Sequence, residues 1–289
     1  GYAPVTTLSD YPMTDGYGGR VLNPTTGNTT LLLKATMSTL NPAVSPFLDT
    51  TRFGGIFVEN TIDNLSLKDV DFVIETGGSS YANSADVTVT ITGGGGSGAT
   101  ATANVVTNVI TDIILTNGGS GYTTSPTVTI TPGSGGGSGG VVTYNGEDKK
   151  SGGNSKVRYM TRRVTLADGF DSGDLRVYLT GYKPSGSNIY VYYKVLSASD
   201  SDTFDDKNYV LMTELGNPNF VSANEREFRE LTFAPGTDRT SVNNITYTTG
   251  GTTYNSFRTF AIKVVMQGDD TVDVPKLRDL RVIALPAEA

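Results

Sequence analysis

The chain has 289 residues, 22 of them basic and 29 acidic for a formal net charge of −7, and it contains no Cys, His or Trp. That balance excludes the clustered Lys and Arg of a dedicated nucleic-acid binder and disfavours an anionic membrane surface. Without histidine and cysteine, Ser-His-Asp and Cys-His mechanisms, disulfides and zinc–sulfur sites are excluded, so no enzymatic role and no cofactor are expected.

Residues 1–29 are rich in Gly, Pro, Thr and Tyr with little periodicity and read as an extended arm or linker. The opening resembles a strand separated from upstream context, so the chain is expected to be a piece of a longer protein. A short apolar strand is predicted over Thr30–Ala35, and a buried strand around Ile56 and Val58 within Ser45–Asn64. No apolar run reaches the length a bilayer crossing needs, so membrane insertion is not expected.

Two matched glycine-rich segments follow, Glu75–Ala103 and Thr116–Gly140. Tyr81 and Tyr122 hold equivalent places and Val87–Thr92 matches Pro126–Thr131, a period of roughly forty residues. Each copy offers a Gly-rich turn, an anchoring tyrosine, an alternating Thr/Val strand and a second glycine run. Strands are predicted at Phe72–Glu75, Val87–Thr92, Val105–Thr116 (interrupted near Asn108), Thr127–Thr131 and Val141–Tyr144, and the runs GSGGGSGG and KKSGGNS read as hinges. Neither glycine run is a phosphate loop, because no Gly-Lys-Ser/Thr leads into a helix.

From Lys156 the alternation is regular. It predicts strands at Lys156–Leu166, Leu175–Tyr182, Ile189–Leu196, Tyr209–Glu214, Arg229–Phe233, Asn244–Thr248, Thr259–Met266 and Leu277–Ala284. The second and third, joined by the turn Lys183–Asn188, read as a hairpin. Ser222 with Glu225 forms a possible capping box, but helix is otherwise scarce. The pattern is all-β, with strands at sandwich-like spacing.

Four groups of side chains are candidates for chemistry. Asp200, Asp202, Asp205 and Asp206 place carboxylates at near-alternate positions that calcium could use, although the EF-hand glycine and terminal Glu are missing; a solvated loop is the alternative, and no metal is assigned. Asp168, Asp171 and Asp174 read as turn residues. Arg158, Arg162 and Arg163 could seat an acidic partner or a phosphate, or simply pair with acids on a solvated face. Tyr178, Tyr182, Tyr190, Tyr192 and Tyr193 crowd one region; Tyr190 and Tyr192 share a face opposite Tyr193, so one set is core and the other a contact surface.

Three stretches, residues 45–64 (SPFLDTTRFGGIFVENTIDN), 157–212 (VRYMTRRVTL through KNYVLM) and 257–285 (FRTFAIKVVMQGDDTVDVPKLRDLRVIAL), resemble the C-terminal part of large virion structural proteins of contractile-tailed phages, cyanophages especially. The GGSGY…SPTVTI…GGGSG repeat is similar to modules of phage tail and fibre proteins. The resemblance implies a β-sandwich similar to a galactose-binding-like jelly roll, built from residues 30–70 and 154–289, with residues 71–153 inserted as a glycine-rich β-repeat domain. It implies a structural role in the tail, baseplate or an attached fibre of the virion, assembled in the bacterial host cytoplasm. Expected partners are other virion proteins and further copies in a trimer or hexamer, with recognition of a host surface glycan as the alternative. No catalytic residues come with it.

Overall fold

A computed structural model describes residues 37–41, 43, 46–47, 60–236, 245–271 and 273–286. The chain divides into two compact units, residues 1–60 with 271–273 and residues 61–270 with 274–289. In the first, Asn60 donates from its backbone N–H and from Nδ2 to Thr271 O, at 3.3 and 3.0 Å. The expected arm at 1–29, the strand at 30–35 and the strand around Ile56 and Val58 lie outside the described residues.

The second unit is antiparallel β throughout, broken only by three-residue 3-10 turns among the described residues. Its first six strands are β1 (Phe72–Ser79), β2 (Val87–Thr92), β3 (Ser97–Val106), β4 (Val109–Ser120), β5 (Thr127–Pro132) and β6 (Ser138–Tyr144). They pair in nested fashion, β1 with β6, β2 with β5 and β3 with β4, like one long hairpin folded into three pieces. The predicted interruption near Asn108 is the tip of that hairpin. Thr107 and Asn108 both take positive φ, 50° and 66°, the twist that tight hairpin turns require.

The repeat read in the sequence is also a repeat of pairing. Ser79 opposite Ser138 and Gly77 opposite Gly140 in β1–β6 correspond to Ser120 opposite Ser97 and Gly118 opposite Ala99 in β4–β3. In β2–β5, Thr90 pairs with Thr129, its own equivalent, so the two copies are related by an approximate two-fold axis through that pair. Tyr81 and Tyr122 do the same work in each copy: the hydroxyl of Tyr81 accepts the Gly140 N–H at 3.0 Å and that of Tyr122 accepts the Ala99 N–H at 3.2 Å. Each ring packs against a glycine in the second run of the other copy. A Cβ on Gly96 would fall 2.6 Å from Tyr122 Cγ, and one on Gly137 would overlap the Tyr81 ring. Tyrosine and glycine run are one device, ring on bare backbone, which explains their joint recurrence.

The remaining strands are β7 (Arg158–Met160), β8 (Val164–Thr165), β9 (Ser172–Tyr182), β10 (Ser187–Leu196), β11 (Val210–Leu211), β12 (Thr213–Leu215), β13 (Arg229–Ala234), β14 (Tyr247–Thr249), β15 (Thr252–Tyr254), β16 (Thr259–Gly268) and β17 (Lys276–Pro286). One sheet runs β11-β10-β16-β7 with β8 also on β16; the other runs β12-β13-β9-β17; β14 and β15 form a separate hairpin. Alternate residues of the two sheets, among them Leu175, Val177, Leu179, Ile189, Val191, Leu231, Phe233, Ile262 and Val264, meet in a single apolar core. Each such side chain, fully buried, contributes about 1.5–3 kcal/mol.

Four expectations are corrected. Leu175–Tyr182 and Ile189–Leu196 are strands but not a hairpin, since β9 and β10 lie in opposite sheets. The Ser187 N–H and Oγ both bind Pro184 O, at 3.1 and 2.8 Å, closing a turn that carries the chain across the sandwich. β10 gains a ten-residue ladder on β16, and β9 is sandwiched between β13 and β17; the apolar rows of β9 and β10 then face each other across the core. Lys156–Leu166 is two short strands rather than one, and Tyr209–Glu214 splits between the two sheets. Ser222 starts no helix; its Oγ accepts the Lys183 N–H at 3.0 Å.

Candidate functional site

The ionisable residues that the fold gathers lie where the repeats meet the sandwich. The sheet β11-β10-β16-β7 is covered on both faces. Its inner face lines the apolar core, and its outer face carries Tyr190, Tyr192, Lys194, Lys263 and Val265. Against that face pack Leu65 and Tyr209, together with the loop that leaves β6. Three backbone bonds tie the segment before the repeats to the second copy: Gly121 N–H to Asn64 O at 2.9 Å, Tyr122 N–H to Leu65 O at 3.0 Å and Leu67 N–H to Gly118 O at 2.9 Å. The Tyr192 hydroxyl donates to Thr123 O at 2.6 Å.

At the centre is Lys263, fully buried on β16. Its Nζ donates to Glu147 Oε2 at 2.9 Å, to Gly152 O at 3.1 Å and to the Glu147 carbonyl, and it lies 4.1 Å from the Tyr192 ring centre and 5.0 Å from that of Tyr209. Glu147 Oε1 accepts two backbone N–H groups, Asn154 at 2.9 Å and Ser155 at 2.7 Å. Burial weakens the proton affinity of Lys263, with Glu147 opposing that shift. Lys194 also lies over Tyr209, 4.5 Å from its ring centre, with Nζ on Lys150 O at 3.2 Å; burial lowers its pKa too. Burial also raises the Tyr192 and Tyr144 hydroxyls, and it raises the Asp71 carboxyl that accepts from Tyr144 at 3.2 Å. Asp148 holds the loop to both sides, accepting Ser125 N–H and Oγ–H at 2.6 Å while its carbonyl accepts the Tyr209 N–H at 2.8 Å.

The glycine segments read as hinges are bonded into the fold. GSGGGSGG runs into β6, and the carbonyls of Gly152 and Gly153 in KKSGGNS accept from Lys263 and Arg158. A chain whose polar groups are bonded to another part of the fold has few torsions left to vary. Beside the joint, Asp63, Lys68, Asp71, Glu147 and Asn154 line a crevice of about 20 Å³, enough for one water and for nothing of substrate size.

The other candidates are placed as follows. Lys207 Nζ sits 2.6 Å from both Asp200 and Asp202, filling the position a calcium ion would take, and Asp206 pairs with Lys150 at 2.9 Å while Asp205 is exposed. Burial disfavours ionised Asp200, but the Lys207 ammonium, the Asp202 N–H and the Tyr247 hydroxyl outweigh it and hold its pKa below the usual carboxylate range. Among the described residues no three His, Cys, Asp or Glu converge on a metal position. Asp168 pairs with Arg258 at 2.6 Å, and buried Asp174 pairs with Arg176. Of the tyrosines, Tyr182, Tyr192 and Tyr193 are buried, Tyr193 in the apolar core, where burial pushes its hydroxyl up to about 12. Their rings are spent inside the chain and offer no surface for stacking a sugar or a neighbour. Tyr178 and Tyr190 are half-buried, Arg158 is committed to Gly153 O, and Arg162 is exposed.

Sequence reasoning missed Lys263, Glu147 and Tyr209. A signal existed: IYVYYKVL and TFAIKVVM are apolar almost without alternation, the mark of strands covered on both faces. Two further features escaped it. On the outer face of the second sheet, Arg278 lies 3.8 Å from the Phe228 ring centre, Lys276 5.2 Å from that of Tyr182 and Arg281 5.5 Å from that of Tyr178. Among the described residues the eleven-residue β17 pairs on one side only, with β9. Compared with known proteins, the chain matches no protein family, no curated protein and no solved structure.

Proposed function

We propose that the chain is a structural component of a tailed-phage virion, in the tail, the baseplate or an attached fibre, and that it acts through protein–protein contacts without turning over a substrate. The observation that carries this reading is the joint. The buried cations and carboxylates that the fold brings together are used to hold the repeats against the sandwich, leaving a water-sized crevice beside them. The likeness of residues 157–212 and 257–285 to virion proteins points the same way. A rigid body of this kind transmits load and presents fixed surfaces to its neighbours. The ring-backed cations of β17 suit such a surface, since Arg and aromatic side chains are enriched at interfaces.

Cross-linking of intact particles followed by mass spectrometry tests the reading. Links from the exposed Lys276 to other virion proteins or to further copies are expected, and Arg278→Glu is expected to lower incorporation into particles. A chain that stays monomeric at all concentrations and forms no link in the particle overturns it.

A further inference from the structure

We propose that Lys263 and Glu147 become joined by an amide bond between Nζ and the side-chain carboxyl, a covalent staple from the sandwich to the loop that closes the repeats. The inference rests on the geometry of this pair and stands apart from any role in a virion. Nζ lies 2.9 Å from Oε2, one bond from the carboxyl carbon Cδ, and the two side chains are 0% and 6% exposed. Holding reactants in contact in this way replaces the encounter of an intermolecular reaction with an effective concentration on the order of 10⁵ M or more. The second carboxyl oxygen, Oε1, receives the Asn154 and Ser155 N–H groups at 2.9 and 2.7 Å. Two preset backbone donors on the oxygen that gains charge during acyl transfer are the elements of an oxyanion hole. The Tyr192 and Tyr209 rings wall off the amine from water, and burial favours its neutral, nucleophilic form.

The atoms balance without a co-reactant. Within the pair a proton passes from the ammonium to the carboxylate, giving an amine and a carboxylic acid. Nζ adds to Cδ while Oε1 carries the developing negative charge. A second proton moves from Nζ to Oε2, the Cδ–Oε2 bond breaks, and water leaves. Nζ keeps one hydrogen in the amide, and nothing is oxidised or reduced. In a chain with no cysteine, this bond supplies the cross-link that a disulfide cannot.

Intact-mass spectrometry of the folded chain and of Lys263→Arg is the test. The unaltered chain is expected one water lighter than its sequence, with a branched peptide joining the segments around residues 147 and 263 after digestion. Lys263→Arg is expected at its full sequence mass. A full-mass unaltered chain that yields only linear peptides overturns the proposal. So does the same loss of water in Lys263→Arg, which places the dehydration elsewhere. If Lys263→Arg does not fold, the branched peptide alone decides.

Discussion

The repeats and the sandwich reach stability by opposite means. The sandwich follows the usual rule, with alternate aliphatic and aromatic side chains of two sheets interlocked in one core. The repeats bury far fewer side chains: Tyr81, Val87, Ala103, Ile110, Ile113 and Val142 form one cluster, and Leu67, Tyr122 and Tyr144 another. There the close fit is between ring and backbone, and glycine works because it has no side chain. The difference teaches that one chain can hold strands by filling space or by leaving it empty, and that the joint between the two styles must be polar. The sheet face presented to the repeats carries Lys194 and Lys263 among its tyrosines, where the face presented to the core carries none.

The largest effect should come from breaking the joint. Glu147→Ala leaves the Lys263 charge buried without its partner and is expected to cost about 3–5 kcal/mol. Urea unfolding would measure the loss, and hydrogen exchange should show new opening at residues 145–155 and 207–211 before the sandwich core. Phe233→Ala, inside the sandwich, is expected to cost a similar 3–5 kcal/mol or so through its cavity, while leaving exchange in β3 and β4 unchanged until global unfolding.

Within the repeats, Gly96→Ala and Gly137→Ala should each cost about 1–3 kcal/mol, the first by crowding the Tyr122 ring and Ser120 O, the second by crowding the Tyr81 ring at a backbone φ of 126° that alanine rarely adopts. Calorimetry of the pair sharpens the comparison. Tyr192→Phe is expected to cost roughly 1–2 kcal/mol, the worth of leaving buried Thr123 O without its donor.

The smallest effect concerns pH. Tyr144, Tyr192 and Tyr193 have folded pKa values raised by burial, so their contribution is complete below the unfolded value of about 10 and is lost as pH rises through the folded values. Lys194, lowered by burial, works in the opposite sense, but its difference from the unfolded chain is exhausted above about pH 10.5. Stability should therefore fall above that point, with phenolate absorbance from these rings appearing together with unfolding. Tyr192→Phe should make the decline shallower.

Most strands of the repeats and of the sandwich core were legible because alternation and glycine punctuation are local, but β3, which follows a glycine run with small side chains, was missed before Val105. Val87–Thr92 is β2 to the residue, and the equivalence of Tyr81 and Tyr122 reappears as equivalent hydrogen bonds. Partnership was not legible. A turn such as Lys183–Asn188 looks the same whether the chain returns beside itself or crosses to another sheet, and only the length of ladder available on β16 decides. Lys263 lies on a strand apolar on both sides, which signals a covered face but not what covers it.

By itself, then, the sequence determined an all-β chain without thiol or imidazole chemistry, carrying a twice-repeated glycine and tyrosine unit, since composition and short-range periodicity need no partner to be read. The tertiary structure alone decided which tyrosines are buried, which carboxylates are matched to which lysines and that the glycine runs are bonded into the fold. Each of those depends on contacts between residues up to a hundred or more positions apart, such as Glu147 and Lys263, and burial of a charge or a ring is a property of what packs over it.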